Sequence, residues 1–117
     1  MKVYVAYRYS AKDVLSVLSN IGKAVDVGHE LAQIEGVYPF VPHLDCLVAM
    51  RSPPLPLSYY YNCSMEYLNV CNAIYIVDVK DLDTSKGVLA EYEYAKKAGM
   101  KVFYCIGDVL HALGRLY

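Results

Sequence analysis

The chain has no tryptophan, no long apolar run and no excess of charge, and each shortage removes a class of function. A net charge of -1 over 117 residues leaves no basic footprint for a nucleic-acid polymer, so a ligand of that chemistry would be a small nucleotide. No stretch approaches the ~20 apolar residues of a membrane span, and the basic-then-apolar pattern of a signal peptide is missing. No membrane contact and cytoplasmic residence are the expectations. The 4 cysteines, Cys46, Cys63, Cys71 and Cys105, include no C-x-x-C pair and no histidine at zinc-site spacing. They read as buried free thiols, and no metal site is expected.

What is present is apolar and tyrosine-rich: 56% hydrophobic residues, 20% charged, and 13 tyrosines. That is the composition of a globular chain, at a length suited to one domain over residues 1–117. Tyrosine can fill a core and still offer a hydroxyl at a pocket wall.

Along the chain, Met1 to Tyr7 (MKVYVAY) reads as a buried strand. Ser10-Ala11-Lys12-Asp13 resembles a capping box with aspartate in place of Glu or Gln. Val14, Leu18, Ile21, Val25 and Gly28, with Val17, Ala24 and Leu31, then recur at helical spacing to about Glu35, with Gly22 and Gly28 marking close packing or a bend. Gly36 ends that helix, and Val37–Val41 is a second strand that Pro39 makes short or edge-placed. Pro42 to Leu57, with Pro42, Pro53, Pro54 and Pro56, reads as a long irregular loop, a length usually tied to function or mobility. A helix over Ser58–Cys71 follows. Ala73–Val79 (AIYIVDV) is continuously apolar and so central in a parallel sheet. A Thr84–Ala98 helix, a Lys101–Cys105 strand and a short helix from Asp108 complete an α/β three-layer alternation.

In TSKGVLAEYEYAKKAG (Thr84–Gly99), Glu91 and Glu93 stand two residues apart, which on a helix separates them by about 200°. With Ser85 as N-cap, Val88, Tyr92, Ala95 and Gly99 share the face toward the sheet, Lys86, Glu93 and Lys97 fall together on the opposite side, and Glu93 points to water with Lys97 as its partner. Glu91 falls on the flank of the apolar arc beside Gly87, Ala95 and Ala98, where a carboxylate is costly unless something uses or pairs it. The start of this helix lies at the carboxyl edge of a parallel sheet, where α/β domains bind ligands.

Four segments in order, MKVYVA, PFVPHL (Pro39–Leu44), L-x-x-C-N-A-I-Y (Leu68–Tyr75) and S-K-G-x-x-x-E-x-x-x-A (Ser85–Ala95), resemble the nucleoside 2-deoxyribosyltransferase superfamily. That group includes 2′-deoxynucleoside 5′-monophosphate N-glycosidases. The resemblance spans nearly the whole chain and implies a flavodoxin-like parallel sheet of order 2-1-3-4, with room for a fifth strand at one edge. It also implies cleavage of the base–deoxyribose bond, with Glu91 as nucleophile and a covalent glycosyl-enzyme, as in retaining glycosidases. No cofactor is implied. A small nucleotide or nucleoside is the expected ligand and a homodimer the expected assembly.

Relatives acting on free nucleosides carry an aspartate six residues before the nucleophile, and those acting on monophosphates carry serine; here the residue is Ser85. A helix N-terminus with Thr84, Ser85 and Gly87 suits a phosphate, although Ser85 also reads as a plain cap. Arg8 is a second phosphate candidate at the carboxyl edge of the first strand, and Tyr7 or Tyr9 would wall the base or sugar. His43 is a candidate substrate contact, with packing against its neighbours as the competing role. Tyr59-Tyr60-Tyr61 could line a base pocket, form a dimer contact or simply pack.

The pattern is broken in places. Ser64 stands where relatives have an acid, and serine cannot be a general acid at neutral pH. Glu66 faces elsewhere on that helix, and no arrangement bringing in Asp45 from the long loop follows from the sequence. Cys71-Asn72 replaces a step that often holds aspartate, Tyr7-Arg8-Tyr9-Ser10 replaces a glycine-containing loop, and Lys80–Asp83 (KDLD) replaces a more apolar one. The expectation is a nucleotide N-glycosidase. The alternatives are deoxyribosyl transfer, cleavage of another N-glycoside such as NAD, or a non-catalytic nucleotide-binding or regulatory module.

Overall fold

Four strands form the middle layer of the computed structural model, which describes residues 1–115. They are β1 (Lys2–Ala6), β2 (Tyr38–Phe40), β3 (Ala73–Ile76) and β4 (Lys101–Phe103). All pair in parallel in the order β2-β1-β3-β4, with Val3 opposite Pro39 on one side and Ala73 on the other. The helices are α1 (Val14–Ala32), α2 (Cys46–Ala49), α3 (Leu57–Asn69), α4 (Asp81–Thr84), α5 (Lys86–Lys97) and α6 (Ile106–Ala112). This is an α/β fold consistent with a flavodoxin-like one. Among the described residues no fifth strand is added at either edge.

The alternation of β1 divides the core in two. Val3 and Val5 pack with Ala73, Tyr75 and Phe103 against Ala24 and Leu31 of α1 and Val109 of α6. Tyr4 and Ala6 pack with Ile74 and Ile76 on the other face, against Leu68 of α3 and Val88 and Ala95 of α5. Both faces of β1 and β3 are covered, which is why AIYI carries no polar residue. Pro39 sits in the edge strand, where its missing N–H costs no ladder bond.

Several boundaries differ from the sequence reading. Ser10 is not the cap of α1: Asp13 is, its side chain accepting from Ser16 N at 2.8 Å. Ala24, Gly28 and Leu31 of the periodic set are buried, whereas Val14, Leu18 and Val25 are exposed. For Val14 and Leu18 the cause is length, while Val25, next to the buried Ala24, faces away from the sheet. α1 has 19 residues, about 28 Å at ~1.5 Å each. The 5 residues of β1 span only about 17 Å, so the first turns of α1 run past the strand ends. β3 stops at Ile76, because Val77 N donates to Ala6 O at the last residue of β1 and the chain then turns. Pro42–Leu57 is not wholly irregular: Pro42–Asp45 forms a 3-10 turn that leads into α2. Asp81–Thr84 is a helical turn and not a loop. The last helix begins at Ile106, with Asp108 inside it accepting from Tyr104 N at 2.8 Å. The cysteines are free, but Cys105 is exposed and the other three only half-buried.

The glycines of α1 behave oppositely. A Cβ at Gly28 would stand 2.5 Å from Val41 Cγ2, while at Gly22 it would meet nothing within 4 Å. Gly28→Ala should therefore destabilise the fold by about 1–3 kcal/mol through overpacking. Gly22→Ala should stabilise it by about 0.5–1 kcal/mol through helix propensity. Urea denaturation of both variants checks the opposite signs.

Candidate functional site

From β1 the chain crosses to β2 on one side, and from β3 to β4 on the other, so the carboxyl ends of β1 and β3 mark the switch point of the sheet. A cleft of about 630 Å³ opens there. Tyr7, Arg8, Tyr9 and Ser10 wall it after β1, and Pro42, His43 and Asp45 after β2. α3 contributes Tyr60, Tyr61, Ser64 and Met65, and the start of α5 contributes Ser85, Lys86, Gly87, Val88 and Glu91. The residues singled out in sequence, Tyr7, Arg8, Tyr9, His43, Ser64, Ser85, Gly87 and Glu91, thus all line one cavity.

Glu91 stands two turns into α5, half-buried, while Glu93 is exposed. Its Oε2 accepts a hydrogen bond from the hydroxyl of Tyr4, a residue wholly buried in the central strand. Burial pushes the Glu91 carboxyl up to about 7, opposed by the Tyr4 bond, which favours the charged form. The Tyr4 hydroxyl is held neutral by its own burial and by the neighbouring carboxylate. Sequence reasoning missed Tyr4. The available signal was a tyrosine at the strand position whose side chain faces the helix that carries Glu91.

Ser85 caps α5, accepting from Val88 N at 3.3 Å. Gly87, in the first turn, has open space where a Cβ would be, so the backbone there faces the cleft unobstructed. Lys86 lies between them and forms no ion pair among the described residues. Helical spacing sets it with Glu93 and Lys97 on the side away from the sheet, but in the first turn of α5 it lies at the cleft, which it lines.

Arg8 is held in place by two carboxylates. Its Nε lies 2.6 Å from Asp81 Oδ1 and its Nη2 2.5 Å from Asp78 Oδ2, and its backbone N–H donates to Asp81 Oδ2 at 3.0 Å. The bond to Asp81 holds the guanidinium pKa above its ordinary value. Asp81 is wholly buried, so the KDLD segment has a structural purpose that its sequence does not reveal. The Arg8 guanidinium lies 4.9 Å from the centre of the Tyr7 ring.

His43 is buried, with Nε2 at 2.9 Å from Tyr7 O and 3.2 Å from Arg8 O. Donation to these carbonyls places the proton on Nε2, and burial lowers the ring's pKa, so the imidazole is neutral. Its Nδ1 is buried and has no partner among the described residues. The ring lies 6.3 Å from that of Tyr7 and 5.9 Å from that of Tyr9, so His43 braces the loop after β1 from below. Asn72 is elsewhere: its Oδ1 accepts from Lys2 N at 2.7 Å, at the amino end of the strands and away from the cleft.

A protein-family model described as Domain of unknown function (DUF4406) matches residues 22–104, from the middle of α1 past the end of β4. The matched span carries His43, Asp45, Ser64, Ser85 and Glu91. No curated protein matches the chain.

Proposed function

We propose a function for this chain on the premise that it belongs to the DUF4406 family, a domain whose description names no activity. The function is hydrolysis of the N-glycosidic bond of a deoxynucleoside 5′-monophosphate. The observation that carries the reading is Glu91: a half-buried carboxyl on the wall of a cleft at the sheet's switch point, hydrogen-bonded by a buried tyrosine. The resemblance of four sequence segments to nucleoside 2-deoxyribosyltransferases supports the same assignment.

In this reading the Glu91 carboxylate attacks the anomeric carbon as the base departs, leaving a glycosyl ester that water opens. Tyr4 holds the attacking carboxylate in one orientation. The phosphate lies at the start of α5, where free N–H groups, the hydroxyls of Thr84 and Ser85 and the open backbone at Gly87 meet the charge of Lys86. Arg8 contributes mainly as a brace, since Asp78 and Asp81 already offset its charge. Tyr7, Tyr9, Tyr60 and Tyr61 are the candidate walls for the base and sugar.

A homodimer belongs to the same reading. Leu47, Met50, Leu57 and Tyr61 beside the cleft mouth are 66%, 75%, 88% and 53% exposed, an apolar flank that a second copy would cover.

The test is chromatographic detection of free base from deoxynucleoside 5′-monophosphates, the matching nucleosides and NAD, with light scattering on the same sample. Base from a monophosphate is the expected result. Lys86→Ala should raise KM for that monophosphate about tenfold, the loss of one charge-assisted contact of about 1.4 kcal/mol, and leave any nucleoside activity unchanged. Binding of nucleotides without release of base from any of them would instead mark a nucleotide-binding module.

A further inference from the structure

Two carboxyl groups line the cleft, and only Glu91 has been assigned work. The other is Asp45, delivered to the wall by the 3-10 turn after β2. Its side chain has no structural task. It starts α2 but makes no side-chain cap bond, and it joins no ion pair among the described residues. Other aspartates around the strand ends are engaged: Asp13 caps α1, Asp78 and Asp81 hold Arg8, and Asp108 takes Tyr104 N. An uncommitted, half-buried carboxylate facing a cavity needs a reason, since its desolvation is uncompensated.

We propose that Asp45 is the general base that draws a proton from the water that opens the glycosyl-enzyme, an inference that rests on the glycosidase reading of the cleft. In that step a lone pair of the water oxygen forms the bond to the anomeric carbon. The ester bond to Glu91 breaks, and its electron pair returns to the Glu91 carboxylate. One water proton passes to Asp45, which later releases it to solvent. The departing base takes its proton from solvent in the preceding step, so atoms and charge balance over the cycle.

Neighbouring groups do not fit this role. His43 keeps its Nε2 proton on two backbone carbonyls, and its Nδ1 is closed off from water. Ser64, at the position where the resemblance would place an acid, is no base at neutral pH. Burial raises the Asp45 pKa, which makes its carboxylate a stronger base than a free aspartate.

The experiment compares wild type, Asp45→Asn, Asp45→Ala and Glu91→Gln on the deoxynucleoside 5′-monophosphates. It reads pre-steady-state base release, steady turnover and intact-protein mass, with circular dichroism as a check on folding. Asp45→Asn should keep a burst of about one base per subunit, accumulate a sugar phosphate adduct on Glu91, and turn over ~10²–10³-fold more slowly. Azide needs no deprotonation, so it should restore Asp45→Ala at least about tenfold, yielding the glycosyl azide, and leave Glu91→Gln inactive. Turnover of folded Asp45→Asn at the wild-type rate would overturn the proposal. So would loss of the burst in both folded Asp45 variants. Absence of base release from the wild type would sink the glycosidase reading itself, and the role of Asp45 with it.

Discussion

Glu91→Gln is expected to abolish base release and, at pH 8, to make the protein more stable. The loss of activity should reach at least roughly 10³-fold, the scale of removing an enzymic nucleophile. The gain follows from the raised pKa. A carboxyl at about 7 in the fold and 4.5 when exposed is protonated in both states below 4.5, and there it costs nothing. Between 4.5 and about 7 the folded state holds the proton that the unfolded chain has released, so stability falls as pH rises, and above 7 the full penalty remains. Allowing for the partial exposure of Glu91, that penalty is on the order of 2 kcal/mol, or roughly 8 °C of Tm for a domain of this size. Glutamine keeps an acceptor for the Tyr4 hydroxyl and carries no charge, so it removes the penalty without stranding the tyrosine. Melting curves at pH 5 and pH 8 should show the two proteins alike at the lower pH and the variant higher at the upper. Equal Tm at both would mean that Glu91 is not strained by its burial. The wild-type rate should rise through about pH 7 as the carboxylate forms.

The second large effect concerns Asp81. Its carboxylate is wholly buried and accepts two bonds from Arg8, through the backbone N–H and Nε, while Asp78 takes Nη2 of the same guanidinium. Asp81→Ala leaves the Arg8 backbone N–H and one arm of its guanidinium without their partner. Because the Arg8 side chain is itself 36% exposed, solvent takes up part of the loss, and the cost should be about 1–3 kcal/mol. Asp78 is one-third exposed, so Asp78→Ala should cost under about 1 kcal/mol, because solvent replaces much of its attraction. Urea midpoints for the two variants measure the contrast, and similar losses would show that burial of Asp81 carries no special weight. With its anchor gone, the Tyr7–Tyr9 loop should also lose its fixed position, so Asp81→Ala should weaken nucleotide binding more than Asp78→Ala does.

Much of the architecture was legible in the order of residues. Apolar runs in MKVYVA and AIYI and a periodicity near 3.6 in both long helices suffice for a parallel α/β sheet, because each pattern reports how many faces of an element are buried. The orientation of Glu91 followed from helix geometry alone, and Ser85 capped where its residue type and position said it would. Pro39 marked an edge strand for the plain reason that it lacks an N–H.

What lay beyond the sequence was every relation between distant residues. Nothing local pairs Tyr4 with Glu91, 87 residues apart, or Arg8 with Asp81, 73 apart. These pairs exist because β1 lies beside β3 in the sheet, and strand order is settled by packing both sheet faces at once. The same holds for Asp45, which a local reading left in an irregular loop and the short turn after β2 carries to the cleft. The sequence by itself determined which elements form and which face of each is apolar, since those depend on neighbours a few residues away. Only the tertiary structure decided which charges meet, which carboxylate is desolvated and which stays free, because each of those depends on what the fold brings to within a few ångströms.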